Sequence, residues 1–147
     1  MKYLVGAILF VLSVVVGKLM NKSYKDKIRF LNEYREFLNR VSGEAGIFKR
    51  KMSDIEERFC QERSGKFEDF LKTYRQKGAK TEEEKIVFDF LSEIKEVNAK
   101  SQDEFIKYSI GLCEKMLSDR EEAQKTNGTL SERLCPLVGA VMFLLVL

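Results

Sequence analysis

Two uncharged apolar runs, one near each end of the chain, constrain this sequence most. The first covers residues 3–17 and the second covers residues 134–147, and neither contains a charged side chain. All 23 acidic residues and 25 of the 26 basic residues lie between the two runs. A third of the chain is charged and 44 % is apolar, so this is not the composition of a disordered chain. The layout indicates a charged domain bracketed by two membrane segments.

Each run reaches the length of a membrane helix, about 20 residues, only when its flanks are included. We therefore expect a transmembrane helix at residues 1–20, a helical domain at residues 21–129 and a second transmembrane helix at residues 130–147. A cleaved signal peptide is the alternative for the first run. A buried core helix is the alternative for the second.

The basic residues predict the orientation of this layout. Several follow the first run closely, namely Lys18, Lys22, Lys25, Lys27 and Arg29, and others precede the second run, namely Arg120, Lys125 and Arg133. Since basic residues beside a membrane span favour the cytoplasmic side, both runs place residues 21–129 in the cytoplasm. A secreted helical protein, which a cleaved signal would produce, is the competing interpretation.

The region between the runs has helical rather than strand-like periodicity. One apolar face recurs at a spacing close to 3.6 residues, formed by Tyr24, Ile28, Leu31, Tyr34, Leu38 and Val41. This helix is expected to continue directly from the first run and to end near Ser42 and Gly43. The fold class is therefore all-α, a cytosolic helical bundle bracketed by an N-terminal and a C-terminal transmembrane helix.

Capping signals predict where the later helices begin and end. A Ser or Thr followed by Glu three residues later forms a capping box at a helix N-terminus, and it occurs at Ser53, Thr81 and Ser101. Gly78 has the character of a C-cap, and a pause is expected near residues 127–128.

Composition argues against an enzyme. The chain has no His, which removes the commonest general base and the commonest zinc ligand, and no phosphate-binding glycine motif occurs. Cys60, Cys113 and Cys135 lack metal-ligand spacing and are interpreted as small apolar residues in a reducing compartment. The paired carboxylates lie at helix starts or on polar faces. We expect no cofactor and no metal, and the balanced charge of +3 does not indicate nucleic acid.

Small residues in the apolar runs are candidates for helix packing. Gly6, Ser13 and Gly17 share one helical face of the first run, and Gly139 and Ala140 offer a small patch in the second. Such residues let helices approach closely in a membrane. They would pack the two spans against each other or against a partner, which leaves homo-oligomerisation open.

The densest basic cluster is Lys49, Arg50 and Lys51. It would contact anionic lipid headgroups if its loop lies near the membrane. A solvated turn is the alternative interpretation.

The chain resembles the stage III sporulation protein AB family of endospore-forming bacteria. The resemblance rests on the spacing Ile28-x-x-Leu31-x-x-Tyr34, on the segment EEKIVFDFLSEI at residues 83–94 followed by the helix at residues 101–115, and on the run at residues 137–140. It covers nearly the whole chain as layout and loose pattern. The family's two prolines before its second helix are missing near residues 50–53, which leaves the geometry of that loop open.

The resemblance implies a membrane component of the channel complex that links mother cell and forespore. The family's cytosolic domain is similar to helical bundles of the inner-membrane platform proteins of type II secretion systems. The implied role is a non-catalytic platform that docks a cytoplasmic ATPase, in the cell membrane of an endospore-forming bacterium, with the bulk of the chain in the mother-cell cytoplasm. A small membrane-anchored tether or regulator unrelated to secretion is the alternative.

Overall fold

The computed structural model describes residues 2–48 and 51–146, and these residues are helical almost throughout, with no strand among them. The elements in chain order are α1 (Lys2–Phe48), α2 (Met52–Glu62), α3 (Lys66–Lys77), α4 (Glu82–Glu93), α5 (Ala99–Ala123), a π-helical turn (Gln124–Gly128) and α6 (Thr129–Val146). The predicted all-α class is confirmed. Two of the helices, one near each end, carry the long apolar runs.

The first helix is continuous from the apolar run into the charged region. α1 spans 47 residues and passes Ser42 and Gly43 without a break, so it ends later than predicted. Gly43 is tolerated within the helix because it has helical dihedral angles and costs only about 1 kcal/mol relative to alanine.

The chain forms two compact units. The terminal unit comprises the described residues up to Ile28 together with those from Ser118 onward, and the central unit is Arg29–Leu117. The boundaries predicted at residues 20 and 130 concern a different division, that between membrane and cytosol. The division into compact units does not test them, and they stay predictions.

The core of the central unit is built around aromatic side chains. The ring of Phe67 is fully buried and its centroid lies 5.3 Å from that of Phe30, 5.7 Å from Phe37 and 5.6 Å from Phe59. Edge-to-face packing of this kind stabilises a core beyond the area it buries. Further apolar side chains with no more than 1 % exposure complete the core, namely Leu31, Leu38, Val41, Ile55, Val87 and Leu91. α1, α2, α3 and α4 all contribute to it, and α5 adds the fully buried Cys113 together with Ile106 and Leu117.

The caps of α3 and α4 follow the sequence. Gly78 has a φ of 63°, which favours glycine, and its N–H donates to the Tyr74 carbonyl at 3.0 Å. Thr81 forms the predicted capping box: its hydroxyl accepts from the Glu84 N–H at 3.2 Å, and the Glu84 carboxylate accepts from the Thr81 N–H. Both predictions are confirmed.

The other two predicted capping boxes are wrong. Ser53 lies inside α2, because this helix begins two residues earlier than the box predicts, at Met52, with Lys51 as its N-cap. Ser101 lies in the first turn of α5, and its N–H donates to the Asn98 carbonyl at 2.8 Å. The pause predicted near residues 127–128 falls in the π-helical turn, which separates α5 from α6 without a loop.

Replacing Phe67 by alanine tests this account of the core. Because the rings of Phe30, Tyr34, Phe37 and Phe59 surround Phe67, the Phe67→Ala variant should lose about 3–5 kcal/mol of unfolding free energy. The measurement is urea unfolding of the full chain in detergent micelles, followed by the near-ultraviolet circular dichroism of its tyrosines.

Phe88→Ala is the matched control, because Phe88 is only half-buried and contacts the Tyr74 ring at 6.2 Å. Its loss should be about 1 kcal/mol. Equal losses in the two variants would contradict a core centred on Phe67.

Candidate functional site

The candidate site is the contact surface of the two apolar helices in the terminal unit. α1 and α6 run antiparallel there: Gly6 lies against Phe143, and further along α1 Gly17 lies against Ser131 and Cys135. All three predicted small positions of α1 face α6, since Ser13 lies against Gly139. The pairing therefore uses one continuous face of α1.

Two of these glycines leave no room for a larger side chain. A β-carbon on Gly17 would lie 2.9 Å from the Ser131 carbonyl oxygen, and one on Gly139 would lie 3.2 Å from the Phe10 Cα. Both neighbours are backbone atoms, which cannot turn aside. At Gly6 the neighbour is the Phe143 ring at 2.7 Å, so that position is less restrictive. Close approach of two helices at glycine is how membrane helices gain packing energy.

The other predicted positions are Ala140 and the basic cluster of Lys49, Arg50 and Lys51. Ala140 is half-buried next to Gly139. Lys51 is exposed and precedes α2 in the central unit, and Lys49 and Arg50 lie outside the described residues.

A polar cluster that sequence reasoning missed lies at one end of the same helix pair. It consists of Asn21, Gln124 and Glu132. The Asn21 amide donates to the Glu132 carboxylate and its oxygen accepts from the Gln124 amide at 3.1 Å. Asn21 is 5 % exposed, so its side-chain amide has little contact with water. The two side-chain hydrogen bonds take the place of the hydrogen bonds that the amide would make to water. The cluster fixes the register of α1 against α6.

The π-helical turn belongs to this arrangement. Gly128 is buried within it, and a β-carbon there would lie 2.9 Å from the Asn21 side-chain oxygen and 3.3 Å from the Tyr24 ring. The turn directs Gln124 towards Asn21, and π-turns of this kind often mark functional positions in helices. The sequence signals were Asn21 just after the first run and Gly128 just before the second.

The outer surface of the helix pair is strongly apolar. The exposed large apolar side chains of the terminal unit fall in residues 3–20 of α1 and 130–145 of α6. An open groove of about 640 Å³ runs between the two helices, lined by Leu12 and Val16 of α1 and by Leu130, Leu134 and Val138 of α6. Two helices are long and apolar enough to cross a membrane, by length and composition.

Catalytic and metal-binding groups were sought among the described residues. Those residues hold no group of three or more His, Cys, Asp or Glu side chains arranged to bind a metal ion. Burial raises the pKa of the Cys113 thiol to about 11, and this thiol donates to the Leu31 carbonyl. Burial also raises the pKa of Cys60. Thiols with raised pKa are poor nucleophiles at neutral pH.

Glu56 is the buried carboxyl group whose pKa is shifted upwards. It lies on α2 in the central unit, 9 % exposed, with the Arg75 guanidinium 3.8 Å from Oε2. Burial raises the pKa of Glu56, and the positive charge of Arg75 lowers it by a smaller amount. Oε1 has no hydrogen-bond partner in the described part of the chain. The ionised form is therefore unfavourable in the fold, and we interpret Glu56 as a cost to stability rather than an active group.

The chain matches no protein-family model, no curated protein and no solved structure. The function has to be argued from the chain itself.

A designed disulfide tests the pairing of α1 with α6. A β-carbon at position 17 would lie 3.0 Å from the Cys135 Cβ, which is shorter than the separation of about 3.5–4.5 Å in a disulfide, so the two helices have to move apart by about 0.5 Å to accept the bond. In a chain with Cys60 and Cys113 replaced by alanine, Gly17→Cys should therefore form an intramolecular disulfide with Cys135 upon mild oxidation. The loss of both free thiols is measured by the gel shift of a maleimide-polyethylene glycol.

Val15→Cys is the matched control, because Val15 is exposed on α1 and faces away from the contact surface. It should keep both thiols free. Crosslinks that form only between two chains would contradict the pairing within one chain.

Replacing Glu56 by glutamine tests its burial. Because the folded pKa of Glu56 exceeds its unfolded value, the native chain loses stability as the pH rises above about 4.5. Glu56→Gln should therefore melt about 2–5 °C higher than the native chain at pH 7 and at nearly the same temperature at pH 4.5. Thermal unfolding at the two pH values measures this difference.

Glu57→Gln is the control at the adjacent exposed position. It should leave the melting temperature unchanged at both pH values. A stabilisation of Glu56→Gln that is the same at pH 4.5 and pH 7 would refute the electrostatic explanation.

Proposed function

We propose that the chain is a two-span membrane protein whose central helical unit is a non-catalytic platform for soluble partners. The observation that carries this proposal is the apolar outer surface of the α1–α6 pair. In the most apolar stretch of each candidate span only 11 % of the residues are buried. The core helix of a soluble protein would be mostly buried, whereas helices facing lipid expose their apolar side chains.

The polar and apolar parts of the terminal unit support a membrane boundary near Asn21. The polar cluster of Asn21, Gln124 and Glu132 lies where the apolar surface ends, and exposed lysines, Lys18 and Lys22, flank it on α1. Lysines near the end of a span extend their ammonium groups to the headgroup layer. A side-chain network at this depth holds two spans in register, and here it satisfies the hydrogen bonds of the buried Asn21 amide.

The orientation we propose places the central unit in the cytoplasm. Basic residues on the inner flank of both spans favour that side of the membrane. The basic flanks of both spans therefore place residues 21–129 on the cytoplasmic side. Both ends of the chain then lie on the opposite side of the membrane.

The resemblance to the stage III sporulation protein AB family gives this platform a specific context. In that context it is part of the secretion-like channel complex between mother cell and forespore, and its central unit docks a cytoplasmic ATPase. The two apolar spans and the all-helical central unit fit such a role, because a platform needs an anchor and a surface rather than a reactive group.

Cysteine accessibility in intact cells tests the membrane proposal. In a chain whose native cysteines are replaced, a single cysteine at Lys77, at the exposed end of α3, should react with a membrane-impermeant maleimide only after the cells are permeabilised. A cysteine added after Leu147 should react in intact cells. Labelling is measured on the purified chain, and a Lys77 cysteine labelled in intact cells would refute the proposed orientation.

Co-purification tests the platform role in the same cells. A secretion-type cytoplasmic ATPase should be retained by the affinity-tagged chain in mild detergent and should be absent when the tag is placed on an unrelated two-span protein. A membrane-embedded chain that retains no such ATPase would support the alternative, a tether or regulator unrelated to secretion.

A further inference from the structure

A second apolar surface lies on α5 in the central unit. Within the described part of Arg29–Leu117 the exposed large apolar side chains are Tyr108, which is 67 % exposed, and Leu112, which is 39 % exposed. They are four residues apart and so occupy the same face of the helix. This surface is separate from the apolar spans and is not part of the core.

The neighbours of Tyr108 and Leu112 extend this surface towards α4. Phe105 precedes Tyr108 by three residues, is half-buried, and stacks on the Phe90 ring with centroids 5.6 Å apart. Ile86, four residues before Phe90 on α4, is also half-buried. We call the set Ile86, Phe105, Tyr108 and Leu112 the α5 face.

Gly111 gives the α5 face room for close contact. It lies between Tyr108 and Leu112 in the middle of α5, it is exposed, and a β-carbon there would meet nothing within 4 Å. Alanine would fit this position and would favour the helix more strongly. A glycine at an exposed position flanked by apolar side chains allows another helix to approach the backbone closely.

The charges around the α5 face are mainly negative. Exposed carboxylates flank it at Glu104 on α5 and at Asp89 and Glu93 on α4. Of the exposed lysines on the same helices, Lys107 is paired with Asp103, while Lys85 lies one turn before Asp89 and Lys115 lies one turn beyond Leu112. Residues 82–117 contain nine acidic and five basic side chains, although the whole chain has a net charge of +3. An apolar stripe with an acidic border is complementary to a basic amphipathic helix.

We propose that the α5 face docks a basic amphipathic helix of a protein partner. The apolar side of that helix would cover Tyr108 and Leu112, with its backbone over Gly111, and its lysines or arginines would face Glu104, Asp89 and Glu93. The acidic border disfavours an anionic lipid surface, and it disfavours a second copy of the same face, because like charges would be brought together. The inference rests on the proposed function only in that the central unit meets a soluble partner.

Binding of two synthetic helices tests the docking surface. Both peptides carry the same leucine stripe, one with lysines and one with glutamates on its polar face. The full chain is held in nanodiscs of phosphatidylcholine, with empty nanodiscs as the blank, and binding is measured by fluorescence anisotropy. The basic peptide should bind about tenfold more tightly than the acidic one. Equal affinities would overturn the proposal.

Variants locate the site. Leu112→Lys should weaken binding of the basic peptide by about tenfold, while Gln76→Lys, which adds the same charge at an exposed position of α3, should change it less than about twofold. Gly111→Leu should also weaken binding and yet raise the melting temperature, because leucine favours a helix more than glycine does. Loss of binding without loss of stability separates docking from folding, and unchanged binding in Leu112→Lys would overturn the proposal.

Crosslinking tests whether a second copy of the chain, rather than a partner helix, occupies the α5 face. In a chain without its native cysteines, Leu112→Cys should remain monomeric with a short bis-maleimide. Efficient crosslinking between two copies would overturn the proposal in favour of self-association. Because peptide binding does not depend on which side of a membrane the central unit faces, a reversed topology would refute the proposed function and leave this result intact.

Discussion

The close antiparallel contact of α1 with α6 at Gly17 and Gly139 is the constraint on which the terminal unit depends. Each glycine meets backbone atoms of the opposite helix, so the two backbones lie close together at these positions. The same approach brings Asn21 within reach of Gln124 and Glu132, which lie more than a hundred residues later in the chain. The apolar side chains are then left on the outside of the pair, where contact with an apolar medium is more favourable than contact with water.

The sequence predicts the elements of this fold better than their contacts. Helical periodicity identifies the apolar faces, and the capping box at Thr81 is confirmed because its hydrogen bonds are made within one turn. The same pattern at Ser53 and Ser101 is misleading, because each helix begins before the serine. α2 extends past Ser53 to include Met52, and Asn98, itself a favourable N-cap residue, starts α5 before Ser101.

The polar cluster could not be predicted because it is formed by two helices that are distant in sequence. Asn21 is an ordinary interfacial residue when the first apolar run is considered alone, and Asn127 and Gly128 have the composition of a loop. A π-helical turn accommodates that composition without ending the helix, and it shifts the helical phase between α5 and α6.

The two exposed apolar surfaces of the chain differ in their charges, and this difference argues for different surroundings. The outer surface of α1 and α6 has no acidic residue before Asp26 or after Glu132, so contact with lipid tails leaves no carboxylate without water. The α5 face is bordered by Glu104, Asp89 and Glu93. Carboxylates at that border would have to be desolvated against lipid but form ion pairs with a basic helix, which suits one surface to a bilayer and the other to a protein.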